Sequence, residues 1–315
     1  MRANFRAAAF HRGRLRSDLS YPRRVTSTVR LLVASVLSML LVIGCTRPTE
    51  AIHKAAAEGD AERVESLLAK DPKLATHRSP RFGRTPLHEA KTRQVAELLL
   101  KAGAQIDEQD TWGRQPIHVA KSGAVVELLL ERGVRFDLGF GPEARSALHS
   151  AESGEAVTAL IAAGLSPEVL DNRKLPPIFA QAESDGPWVK DTIPALVSAG
   201  ASVDARDWKG RTPLFFATGP AVVALVAAGA DVEARDKVGM TPLHQASFDN
   251  ELKRAEALLA AGASVSARLP SNVVIETRTF GAERGFTADA GNATPLRLAA
   301  TKEMASLLRK HGATE

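Results

Sequence analysis

The sequence is poor in cysteine and in aromatic residues. Its 315 residues include one cysteine, one tyrosine and three tryptophans, and aromatics make up only 5% of the chain. A single cysteine excludes an internal disulfide and a zinc site built from several cysteines. Few aromatics beside a 44% apolar fraction dominated by alanine and leucine are typical of closely packed short helices rather than a β-rich core.

The chain also lacks an apolar run of membrane-spanning length. Leu31–Ile43 is thirteen residues long, whereas a spanning helix needs about 20. Eight arginines and one acidic residue precede this run. A basic segment followed by an apolar segment of about 7–15 residues is the pattern of a secretory signal.

The apolar run ends on the only cysteine, in Val42-Ile43-Gly44-Cys45. These residues resemble the lipobox of bacterial lipoproteins, which implies lipidation of Cys45 and cleavage before it. We therefore expect a signal peptide over 1–44, a linker over 45–50 and a durable anchor of several acyl chains on a bacterial membrane. By the same resemblance to Gram-negative lipoproteins, Thr46 in place of aspartate favours the outer membrane, facing the periplasm. A small buried thiol and an uncleaved signal anchor are the alternatives.

The charge balance of the remaining chain argues against nucleic acid as a partner. The whole chain carries a formal charge of +5. Residues 1–44 contain eight basic side chains and one acidic one, and the rest contains 33 basic and 35 acidic, a net charge of −2. Because no basic excess is left to neutralise phosphates, nucleic-acid binding loses its main support.

From residue 51 onward the sequence repeats itself. One copy is RTPLHEAKTRQVAELLLKAGAQIDEQD, from Arg84. Others begin at Ala51 (partial), Arg114, Arg145, Leu175, Arg211, Met240 and Ala293. The T-P-L-H-x-A opening, the Leu-Leu pair and the Gly-Ala step before an acidic hairpin resemble the ankyrin repeat. The resemblance implies an all-α repeat solenoid of about eight units over 51–315, each with a helix-turn-helix and a hairpin or loop.

Individual positions in the repeat have local physical reasons. Thr85 and Thr241 suit the N-cap of the first helix, and Pro86 and Pro242 suit its first turn. In seven of the copies a glycine follows the second helix, where a positive φ is needed. These glycines are Gly103, Gly133, Gly164, Gly200, Gly229, Gly262 and Gly312. Since one unit cannot bury its own apolar face, the units must stack.

Most copies are shorter than the family pattern. Thr85 and Gly103 are 18 positions apart, whereas Thr241 and Gly262 are 21 apart, the usual length. Three residues are roughly one helical turn. We predict shortened helices and an altered superhelical curvature in the short units.

No catalytic or metal-binding pattern is found. His88, His118, His149 and His244 recur at the repeat spacing, so they lie in different stacked units, too far apart to share a metal ion. The resemblance implies that each bonds the turn of its own repeat. No nucleophile or phosphate-loop motif occurs, and the scattered acids Glu152, Glu155 and Asp171 are interpreted as solvated. We expect no enzyme activity, no cofactor and no metal.

Aromatic residues at the hairpin tips are the candidate contacts to a partner. They are Trp112, Trp208 and Phe82, and tryptophan is enriched in binding hot spots. The alternative is that a tip tryptophan packs on the neighbouring hairpin and contributes only stability.

Two insertions add further candidates. Residues 183–192 carry Trp188, and residues 269–292 carry Ile275, Phe280 and Phe286. Long loops in compact solenoids are often functional, and the β-branched content around Ile275 predicts a projecting hairpin that grips a partner. The alternative is a loop that only covers the side of the solenoid.

The sequence thus predicts a monomeric, lipid-anchored, non-catalytic protein that binds another protein in the bacterial envelope. An inhibitor or immunity protein that blocks a periplasmic toxin or enzyme is the alternative. Small-molecule binding or catalysis through residues 269–292 is a third hypothesis.

Overall fold

The computed structural model describes residues 47–136, 139–272, 274–277, 286–289 and 291–314, and Cys45 lies outside this part of the chain. Residues from Arg47 onward form one compact unit of stacked helical repeats. Among the described residues, no helix combines the length and the apolar character needed to cross a membrane.

The second helices of the repeats are nearly uniform at nine or ten residues. They are Ala61–Lys70, Arg93–Lys101, Gly123–Glu131, Gly154–Ala162, Val189–Ser198, Gly219–Ala227, Leu252–Ala260 and Lys302–Lys310. Their buried valines and leucines form one continuous apolar core through the stack. The predicted glycines all adopt a positive φ beyond these helices, so the C-cap assignment is confirmed.

The first helices differ in length, as the repeat spacing predicts. Units 1, 5 and 7 have long ones at Pro48–Glu58, Pro177–Glu183 and Pro242–Phe248. Units 2 and 4 keep a single turn at Pro86–Glu89 and Ala147–Ser150, and units 3 and 6 have 3₁₀ turns at Pro116–Val119 and Pro213–Phe215. A further 3₁₀ turn, Pro72–Thr76, ends unit 1. The short units have therefore lost one turn from the first helix, while the second helix keeps its length.

The first helix begins inside the predicted linker. Pro48 is its first residue, so the segment between Cys45 and the solenoid is shorter than the 45–50 expected. Proline is favoured at a first helical position because its missing N–H would have no partner there.

Side chains of neighbouring units satisfy the carbonyls that the shortened helices leave open. The Ser150 hydroxyl donates to the His118 carbonyl at 2.6 Å. Arg254 of unit 7 donates to the carbonyls of Phe215 and Ala217 at 2.8 and 3.0 Å. Buried carbonyls without partners would be costly, so these contacts allow a one-turn helix to be stable inside the stack.

A backbone hydrogen bond closes each hairpin tip, and the same bond closes the base of the long insertion. Asp110 N–H donates to the Arg114 carbonyl at 2.9 Å, four residues away. Leu269 N–H donates in the same way to Ala293 at 3.0 Å, across the whole insertion. The insertion is therefore a lengthened hairpin tip between units 7 and 8.

The predicted hairpin within the insertion is present. Val274–Thr277 pairs antiparallel with Phe286–Asp289, with Val274 opposite Asp289 and Thr277 opposite Phe286. Its base is held by a small apolar cluster of Phe215, Met240, Leu269 and Ala293. Residues 278–285, including Phe280, lie outside the described residues.

The close contact between consecutive second helices yields a stability prediction. A Cβ at Gly154 would lie 2.8 Å from the Asp191 carbonyl oxygen, whereas one at the matched Gly219 would lie 3.8 Å from Lys253. We expect Gly154→Ala to lower the free energy of unfolding by about 1–3 kcal/mol through overpacking. Gly219→Ala should be neutral or raise it by up to ~1 kcal/mol. Urea unfolding measures both, and equal effects of the two variants would contradict the proposed backbone contact.

Candidate binding site

Trp112 both packs on the neighbouring hairpin and stays accessible. Its ring lies 4.9 Å from that of Phe82 in the preceding tip, and the Arg114 guanidinium lies 4.3 Å above its face. The side chain is nevertheless 48% exposed. The structure therefore joins two predicted residues, Phe82 and Trp112, in one aromatic patch.

Trp208 is not part of this patch. It is 72% exposed, and Lys209 lies 4.9 Å from its ring. It lies at the hairpin tip before unit 6, whereas Phe82 and Trp112 lie at the tips before units 2 and 3.

A cavity of about 650 Å³ opens beside Trp112, between the hairpin tips and first helices of neighbouring units. Its aromatic walls are Trp112, Phe140 and the predicted Trp188, which is half-buried. The polar part of the lining includes Arg114, Glu143, Arg145, Glu152, Gln181 and Glu183. Two candidates from distant parts of the sequence, Trp112 and Trp188, are thus brought to one site.

Most polar side chains of the cavity are engaged within the protein. Gln181 is 1% exposed, donates to the Ala151 carbonyl at 3.2 Å and accepts from the Thr192 hydroxyl at 2.8 Å. Arg145 lies 2.7 Å from Glu143, and Arg173 lies 3.4 Å from Glu183. These contacts fix the walls and floor of the cavity before any partner arrives.

The interpretation of Glu152 and Asp171 as solvated is wrong. Asp171 is 3% exposed because its carboxylate accepts the N–H groups of Arg173 and Leu175, which closes a hairpin turn. Glu152 is half-buried in the cavity. Loss of solvent raises the pKa of its carboxyl group, although Arg84, Lys121 and Arg114 act in the opposite direction. Sequence reasoning missed this residue because its burial depends on units 3 and 5.

The repeated histidines hold the units together. Nδ1 of His88 accepts the Thr85 N–H at 3.0 Å, and Nε2 lies 3.0 Å from the Arg114 carbonyl in the next unit. His149 and His244 repeat this pattern with the carbonyls of Leu175 and Ala293. The predicted bond within the repeat is confirmed, and a second bond to the following unit is added.

This bonding pattern needs a neutral ring, with Nδ1 accepting and Nε2 donating. Burial lowers the pKa of both His88 and His244 to about 4, and it also lowers the pKa of His149. Within the described part of the chain, no group of three or more His, Cys, Asp or Glu side chains is arranged to hold a metal ion.

The other predicted contact residues belong to the insertion. The backbone of Ile275 and Phe286 lies in the paired strands of the insertion. Phe280 and the lipidation candidate Cys45 fall outside the described residues.

A comparison with known protein families supports the repeat assignment. The ankyrin-repeat family model matches residues 82–111 and 238–268. Among solved structures, the ankyrin repeat domain of Bcl-3, a member of the IκB protein family, is 24% identical, covers 82% of this chain and 97% of its own, and gives a TM-score of 0.38. No curated protein matches the chain in sequence.

The chain therefore contains ankyrin repeats, and its fold is an ankyrin-repeat solenoid with several shortened units. Ankyrin-type solenoids present extended surfaces to other proteins. This class of fold indicates a protein-interaction module.

The buried histidines predict a pH-dependent stability. Their pKa is 6.5 when the chain is unfolded and about 4 in the folded state for His88 and His244, so the unfolded chain takes up protons first. The stability they support is complete above pH 6.5 and is lost as the pH falls toward 4, by about 3 kcal/mol for each histidine.

Urea unfolding between pH 7 and pH 4 checks this loss, with about 1.4 kcal/mol expected for each unit of pKa difference. His244→Gln should lower stability at neutral pH and flatten the dependence below pH 6.5. His311→Gln changes an exposed histidine outside the network and serves as the control. An unchanged pH dependence in His244→Gln would contradict the assignment.

Proposed function

We propose that this protein binds another protein through the cavity beside Trp112 and performs no catalysis. The observation that carries the proposal is the set of three aromatic side chains, Trp112, Phe140 and Trp188, around one preformed cavity in an ankyrin-repeat stack. Large aromatic side chains next to a preformed pocket are typical of binding hot spots.

The proposal includes a lipid anchor at Cys45. It is supported by the sequence alone, through the basic segment, the apolar run and the resemblance of Val42–Cys45 to a lipobox. Since the solenoid begins at Pro48, an anchored Cys45 would hold the first repeat within a few residues of a bacterial membrane surface. Confinement to a surface raises the effective concentration toward partners on the same membrane. We place the protein at the outer membrane, facing the periplasm, as a monomer.

The anchor is tested by Cys45→Ser. We expect the variant to lose incorporation of a fatty-acid label and to move from the membrane fraction to the soluble fraction, because the acyl chains supply the membrane affinity. Expression of the same variant behind a known lipoprotein signal that supplies its own cysteine is the control and should restore membrane association. Full membrane association of Cys45→Ser would contradict lipidation at this residue.

The interface is tested by capture of partners from envelope extract, with identification of the captured protein. Trp112→Ala should weaken capture by about 30-fold or more, the effect of losing a hot spot worth ~2 kcal/mol. Trp208→Ala is the matched control, because Trp208 is exposed at a hairpin tip away from the cavity. Equal loss in both variants, or retention in both, would move the interface away from the cavity.

A third variant tests the insertion. Deletion of 271–291 leaves Pro270 and Asn292 as a two-residue tip between Leu269 and Ala293, which already share a hydrogen bond. Asn292 has a φ of 59°, and with Pro270 before it this suits a type II turn, which favours proline at the second position and a positive φ at the third. If capture depends on this segment and not on Trp112, the insertion is the interface.

The inhibitor alternative predicts a different result. The protein would capture no target from envelope extract but would bind an added purified toxin or periplasmic enzyme, and that toxin or enzyme would lose its activity.

A further inference from the structure

The cavity beside Trp112 contains a carboxylate that the protein itself does not use. Glu152 lines the cavity and is half-buried. Within the described part of the chain, the hydrogen bonds and the ion pairs shorter than 4 Å engage the other acids of the lining, Glu143 and Glu183, but not Glu152. A half-buried acceptor of this kind is best satisfied by a donor from a ligand.

The cations closest to Glu152 are committed elsewhere. Arg114 donates to the buried Asp110 at 2.9 Å, and Arg84 lies 3.6 Å from the same carboxylate. Lys121 is half-buried and does not approach Glu152 within 4 Å. Glu152 therefore has no direct partner among the described residues, although these cations lie around it. The cavity lining as a whole contains three acids and two arginines, so a cation arriving from the cavity side can contact Glu152.

The walls beside Glu152 suit a planar cation. The Trp112 ring already contacts the Arg114 guanidinium at 4.3 Å and the Phe82 ring at 4.9 Å, and it remains half exposed. Trp188 and Phe140 complete an aromatic lining. Guanidinium groups stack on tryptophan faces and pair with carboxylates in a bidentate manner, which an ammonium group does less well.

We propose that the cavity receives an arginine side chain from an extended segment of the partner, with its guanidinium on Glu152 and its stem against the indole rings. The volume of about 650 Å³ exceeds one side chain and leaves room for the flanking backbone. This inference rests on the proposed function, because it specifies what the same cavity binds.

The first test uses a blocked Gly-Arg-Gly peptide and its citrulline counterpart, which has the same shape but no charge. In a Trp208→Phe background, the remaining tryptophans are Trp112 and Trp188, and both line the cavity, so their fluorescence reports binding there. We expect weak binding of the arginine peptide and at least about tenfold weaker binding of the citrulline peptide. Equal affinity for the two peptides, or no binding of either, overturns the proposal. A blocked Gly-Lys-Gly peptide is measured beside them, and tighter binding of this peptide than of the arginine peptide would overturn the choice of guanidinium.

The second test assigns the selectivity to Glu152. Glu152→Gln keeps the size of the side chain and removes its charge, so the preference for arginine over citrulline should disappear. Glu127→Gln changes an exposed acid on the second helix of unit 3, away from the cavity, and should leave the preference intact. Thermal melting of both variants confirms that they fold, and a preference that survives in Glu152→Gln overturns the assignment.

These tests separate the two proposals. Capture of an envelope partner that depends on Trp112, together with equal affinity for the two peptides, would overturn the arginine assignment and leave the interface in place. An arginine preference that depends on Glu152, together with capture that is insensitive to Trp112, would support the cavity chemistry and contradict the proposed interface.

Discussion

The solenoid depends on hydrogen bonds that run from several repeats to the next, in units 2, 4 and 7. A buried histidine fixes the start of its own first helix through Nδ1 and lies against a carbonyl of the following unit through Nε2. In unit 8 the same position is Arg297, which is exposed. In unit 6 the position is Phe215, and the hydroxyl of Thr212 is left buried without a partner. Phe215 instead packs at the base of the insertion. In unit 6 an apolar contact therefore replaces the hydrogen bond that histidine makes in other units.

Features set by a few neighbouring residues could be predicted from the sequence. The N-cap of Thr241, the positive φ of Gly103 and the missing turn after Pro86 follow from local chemistry or from counting positions within a repeat. The antiparallel hairpin of the insertion also follows from its β-branched residues. Its base could not be predicted, because the pairing of Leu269 with Ala293 is visible only when the hairpin tips of different units are compared in space.

The candidate site was only partly predictable for the same reason. Trp112, Phe82 and Trp188 stand out as large aromatics near unit boundaries, but the sequence gives Trp208 equal weight. Which tryptophan lines a cavity depends on the helices of the neighbouring units, and these are not visible in the hairpin sequence. Glu152 follows a one-turn helix and resembles a surface acid in the sequence, but it lines the cavity together with residues of units 3 and 5.

The cavity itself follows from unequal helix lengths in adjacent units. Units 3 and 4 have first helices of one turn, whereas the first helix of unit 5 continues to Glu183. Gln181, Glu183 and Ser184 line the cavity and come from the turn that the shorter units lack. Gln181 also donates to the carbonyls of the short helix beside it, so the longer unit closes the open end of its neighbour and forms one wall of the site. The loss of three residues from a repeat thus removes a turn from the stack and leaves a recess, which Trp188, just beyond the longer helix, completes.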